Sequence, residues 1–133
     1  DIITLLIGIN DVGLWMANSS IPLFHQAAQF RLKLTRLLKL LSRNTASVYV
    51  LEPFVFPHPA EYLNWFEPLA AISQIMEELC QTYQAKFIPL HQSFNHLASQ
   101  VGYPLLTTDG IHLTAVGHRI IAAKLMEYFE NPA

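Results

Sequence analysis

Two short segments carry residue types that can perform acid–base and electrostatic chemistry. The first is Asp109-Gly110-Ile111-His112. A carboxylate three residues ahead of a histidine, with a glycine between them to permit a tight turn, can reach one imidazole nitrogen. It then holds the ring and its tautomer and leaves the other nitrogen free as a general base. The second is Gly8-Ile9-Asn10-Asp11. Gly8 permits close backbone approach, and the Asn10 carboxamide is a neutral donor that can point at a developing oxyanion. Taken singly, each segment also has a plain reading. The first is then an Asp turn beside a surface histidine, the second a strand that ends in a turn. Together they stand at opposite ends of the chain and supply complementary roles.

Placing these residues requires a scaffold, and the apolar pattern describes one. Three short apolar runs, Ile2 to Ile9, Ser47 to Leu51 and Lys86 to Leu90, are rich in β-branched or aromatic residues and continuous rather than alternating. That pattern predicts parallel strands buried on both faces. Helical stripes separate them. Phe30, Leu34, Leu37, Leu38 and Leu41 form one, with a start near Ser19 or Ser20 and Pro22. Leu69, Ile72, Met76, Leu79 and Tyr83 form the next. The last helix follows Leu113, with Thr114 as its cap and Ile120, Ile121, Leu125 and Tyr128 on its buried side. A short helix is expected between His91 and Gln100. Alternation of this kind predicts an α/β fold, a parallel sheet with helices on both faces in three α/β/α layers. In such sheets the chemistry gathers at the carboxyl ends of the strands, where both segments fall.

The chain has 133 residues, suited to one domain, and only 14 % are charged while 52 % are hydrophobic. A net charge of −2 offers no electrostatic footprint for nucleic acid or an anionic membrane. Arg31, Lys33, Arg36, Lys39 and Arg43 cluster, but leucines occupy the positions between them, as on the solvated face of one helix. No stretch reaches the ~18 apolar residues of a transmembrane helix. The single cysteine, Cys80, excludes an intrachain disulfide and is compatible with the cytosol.

The two segments also resemble known motifs. Gly8-Ile9-Asn10-Asp11 is similar to the G-x-N-D block of the SGNH hydrolases, the GDSL esterase/lipase family, and Asp109-Gly110-Ile111-His112 to that family's D-x-x-H block. The resemblance spans essentially the whole chain. It implies a flavodoxin-like sheet and ester hydrolysis by a Ser-His-Asp triad, without metal or organic cofactor. His112 would be general base and then acid, Asp109 the residue orienting it, and Asn10 an oxyanion donor. Substrates across the family are small-molecule, lipid and carbohydrate esters.

One departure is large. None of the chain's serines follows a Gly-Asp pair or sits in a Gly-x-Ser-x-Gly elbow, and the family's second-block glycine is missing as well. The chain opens at Asp1 directly on an apolar run. In family terms it begins at the third strand, so the nucleophile and two strands are expected upstream. The chain alone is then expected to lack triad-dependent turnover. Its first strand would lie at an open edge, prone to self-association. The alternative is a non-catalytic remnant or binding module of the same fold.

Further candidates complete the set. The segment from Val12 to Phe24 is long for a connection and carries Trp15, Met16, Ile21 and Phe24. It suits either an apolar wall for an acyl group, with Trp15 foremost, or a cover for the top of the core. Phe54, after the second strand, has a similar claim. His91 and His96, five apart, and His112 and His118, six apart, do not match the i, i+4 spacing of helical metal ligands. Cys80 reads as a small core residue, and Glu52 as a loop anchor.

Overall fold

A computed structural model describes residues 1–131. Its sheet has three parallel strands, β1 (Ile2–Leu6), β2 (Ser47–Leu51) and β3 (Lys86–Ile88), in the order β1-β2-β3. Ile2 pairs with Ser47 and Leu6 with Leu51, while Tyr49 to Leu51 pair with Lys86 to Ile88. Helices α1 (Ile9–Ala17), α2 (Leu23–Leu41), α3 (Phe66–Tyr83), α4 (His91–Val101), α5 (Tyr103–Leu106) and α6 (Ala115–Glu130) surround it, with a 3₁₀ helix over Ala60–Trp65.

The central strand distributes its side chains by the two-residue period of extended chain. Val48 and Val50 point into one core with Phe30, Leu34 and Leu38 of α2 and Leu69, Ile72 and Met76 of α3. Tyr49 and Leu51 point into a second core with Phe94 and Ala98 of α4 and Leu106 of α5. Against this second core α6 lays Ile120, Ile121, Leu125 and Tyr128, which remain half-buried. The three layers follow from that split. Cys80 is fully buried in the first core, where desolvation, helped by Glu77, pushes its thiol up to about 11. Such a thiol packs as a small apolar group and is not a nucleophile.

Several boundaries depart from expectation for physical reasons. The first strand stops at Leu6 instead of Ile9. Gly8 adopts φ +113°, and a Cβ there would stand 3.2 Å from Pro53 Cγ. Only glycine both takes that turn and fits that contact. The Gly8 carbonyl accepts from Val12 N–H at 3.1 Å, so the chain enters α1 at once. The segment expected as a long connection is therefore mostly helix. The third strand is likewise shorter than expected. Helix α2, the next element after α1, begins at Leu23, just beyond Pro22, whose fixed φ suits the entry. Thr114 does cap α6, its Oγ1 accepting from Gly117 N–H at 3.2 Å.

β1 is not buried on both faces. Ile3 and Leu5 pack on the first core, but Ile2 and Leu6 are about half exposed, because the α4–α6 layer covers β2 and β3 and stops short of β1. Among the described residues β1 pairs on one edge only.

Candidate active site

The turn over residues 107–113 is closed by an antiparallel bridge between Thr107 and Leu113. Within it Gly110 takes φ +94°, and a Cβ on it would lie 2.5 Å from the His58 carbonyl oxygen and 2.8 Å from the Tyr62 ring. The glycine is required by both conformation and space. Its carbonyl accepts from Phe56 N–H at 2.9 Å, which ties the turn to the segment leaving β2.

Asp109 organises this turn. Its Oδ1 accepts from Ile111 N–H at 2.9 Å and from His112 N–H at 2.7 Å. Its Oδ2 meets His112 Nδ1 at 2.6 Å. The backbone N–H of His112, then its imidazole, then the Ile111 N–H hold the Asp109 carboxyl down at about 2. The carboxylate is therefore ionised at neutral pH and accepts a proton-bearing Nδ1. That assigns the tautomer and leaves Nε2 as the nitrogen available to a reacting group.

Asn10 lies in the first turn of α1, not at the tip of a strand. The Gly8 turn nevertheless brings it to His112. Both line one cavity of about 220 Å³, whose remaining walls are Leu6, Ile7, Ile9, Pro53, Phe54 and Ile111. This is an apolar pocket with two convergent polar groups, the usual form of a small-molecule site. Phe54 is buried, its ring 4.8 Å from that of Phe94. Trp15 is elsewhere. Five residues beyond Asn10 on a helix, it points to a different side. Its ring meets Phe30 edge-on at 6.2 Å and lines no wall of this cavity. A larger cleft of about 560 Å³, bordered by Glu52, Ser73, Glu77 and Tyr128, shares no residue with the site.

Other titratable groups have structural partners. Glu52 Oε1 accepts from Leu90 N–H at 2.9 Å and His91 N–H at 2.6 Å, anchoring the start of α4 to the end of β2. His91 Nδ1 accepts from Val55 N–H at 3.3 Å, and burial pushes its pKa down, so it is a neutral brace for the segment after β2. Glu52 thus anchors a loop, as expected of it, whereas the roles of Thr107 and His91 are what pattern reading missed. Their bonds join residues that no periodicity links. Among the described residues no group of three or more His, Cys, Asp or Glu converges as metal ligands, and no helix is long and apolar enough to cross a membrane.

Residues 1–120 match the model of the GDSL-like lipase/acylhydrolase family. The chain belongs to this family. No curated protein matches the sequence. Among solved structures, a GDSL-like lipase from Parabacteroides merdae is similar at 20 % identity with a TM-score of 0.79, covering 95 % of this chain and 58 % of its own. An α/β hydrolase enzyme from the metagenome of Lake Arreo, Spain, is similar at 17 % identity and 0.79. An acetylxylan esterase from Geobacillus stearothermophilus is similar at 19 % and 0.75. Both of the latter cover 96 % of this chain and 58 % of their own. At such identities the likeness establishes the fold. The GDSL-like chain described here thus spans less than two thirds of the length of these structures, and its three-stranded sheet corresponds to part of a larger α/β fold.

Proposed function

We propose that this chain supplies the base, its orienting carboxylate and one oxyanion donor of a serine ester hydrolase, with the nucleophilic serine on a segment outside the sequence. The observation that carries this reading is the 2.6 Å contact between Asp109 Oδ2 and His112 Nδ1, with His112 on the same apolar cavity as Asn10. In the proposed cycle the serine Oγ attacks the ester carbonyl while His112 Nε2 takes its proton. Asn10 Nδ2 donates to the tetrahedral oxygen. His112 returns the proton to the departing alcohol, and Asp109 stabilises the transient imidazolium. Water, activated by the same nitrogen, then releases the acid. The side chains of Leu6, Ile7, Phe54 and Ile111 offer the acyl group an apolar wall. Trp15 has no part in it.

A non-catalytic binding module of the same fold is the second reading. It draws on one observation: among the described residues no serine lines the cavity. A fluorophosphonate probe on the folded full-length protein, read by mass spectrometry, separates the two. Covalent labelling of a serine outside these 133 residues is expected. An unlabelled folded protein would favour the binding module.

Asn10→Ala in the full-length protein is expected to lower kcat by about 10²- to 10³-fold, the usual effect of losing one oxyanion donor. The exposed position of Asn10 means the fold should be unaffected. An unchanged kcat would remove Asn10 from the oxyanion hole.

A further inference from the structure

We propose that Thr107 is a positioning residue for His112, a proposal that rests on the reading of His112 as the base. Thr107 is polar yet only 3 % exposed. Its Oγ1 donates to the His112 carbonyl at 2.7 Å and accepts from Gly110 N–H at 2.9 Å. The Ile111 and His112 N–H groups go to Asp109 Oδ1. Three successive amides, 110 to 112, therefore end on just two side-chain oxygens, those of Thr107 and Asp109. His112 is gripped at both ends of its backbone: Asp109 takes its N–H and Thr107 holds its carbonyl.

The two bonds of Thr107 are not equivalent. Thr108 N–H also donates to the His112 carbonyl, at 3.0 Å, so that oxygen would keep a partner without Thr107. Gly110 N–H would not. The glycine is wedged against His58 and Tyr62, so the turn has no slack with which to find another acceptor. A buried amide left unpaired is costly, and the turn would shift to relieve it. The imidazole would move with its backbone, away from Asp109 Oδ2 and from the position at which Nε2 meets a substrate. Displacements of about 1 Å in a reacting group can cost about 10²-fold in rate.

Thr107→Val in the full-length protein keeps the shape of the side chain and removes both bonds. The expected result is a fall in kcat of about 10- to 100-fold with KM nearly unchanged. The decisive readout is the ring itself. In protein labelled with ¹⁵N at histidine, with the His112 signal assigned by its loss in His112→Gln, the unmodified protein should show the Nδ1–H tautomer. Thr107→Val should show a mixture, and Thr107→Ser should restore the single tautomer and most of the rate. A Thr107→Val protein that retains both the tautomer and the rate would overturn the role of Thr107 and leave that of His112 standing. Absence of the Nδ1–H tautomer in the unmodified protein would overturn the reading of His112 itself. A Thr107→Val protein that fails to fold would give Thr107 a general structural role and overturn the positioning one.

Discussion

Replacing His112 by alanine in the full-length protein is expected to lower kcat by about 10⁴- to 10⁶-fold, the range seen when the base of a serine triad is removed. The size of the effect follows from the division of labour in the turn. Asp109 occupies Nδ1, so in the proposed cycle Nε2 would carry the proton in both halves of the reaction, and no other imidazole lines the cavity among the described residues. The His112 side chain is 78 % exposed, so its removal takes no packing from either core. The variant should therefore melt like the unmodified protein, and the loss should fall on kcat. Steady-state kinetics beside a thermal melt make the check. A kcat within tenfold of the unmodified value would end the proposal that His112 is the base.

Asp109→Asn is expected to cost about 10⁴-fold in kcat while leaving the turn in place. An asparagine Oδ1 can still accept from the Ile111 and His112 N–H groups, so the backbone bonds that shape the turn survive. What changes is the partner of the ring. The asparagine Nδ2 donates instead of accepting, which favours the tautomer with its proton on Nε2, where it cannot act as a base. The pH dependence has a definite sign. The Asp109 pKa is lowered from 3.8 to about 2, so its bonds favour the folded turn fully above the ordinary carboxylate value and are lost as pH falls through about 2. The unmodified turn thus stays ionised through the mildly acidic range. Kinetics and crystallography of Asp109→Asn together test this. A rate near that of the unmodified protein with the turn intact would show that the carboxylate does not select the tautomer.

The legible parts of the molecule were those with a period or a dense local signal. β2 and the buried stripes of α2 and α3 stood out because Val48, Val50, Leu34 and Ile72 sit on residues whose spacing matches their element. The site segments stood out because glycine, asparagine, aspartate and histidine are packed into four residues each. What escaped depends on single backbone events or distant pairs. Ile7 and Ile9 extend the apolar run of β1, so nothing periodic marks the reversal at Gly8 that starts α1. That reversal moved Asn10 onto a helix and turned Trp15 away from the cavity. The grip of Thr107 on Gly110 and His112, and of His91 on Val55, arises between residues that carry no shared pattern.

The bond from Phe56 N–H to the Gly110 carbonyl has a consequence for how the site can be tuned. Asp109 and His112 are wired to each other inside one short turn, so the pair travels as a single cartridge. Asn10 belongs to a different piece of chain, mounted behind Gly8. The segment after β2 touches both pieces, the cartridge through Phe56 and the mount of Asn10 through the contact of Pro53 with Gly8, so it sets the gap between them.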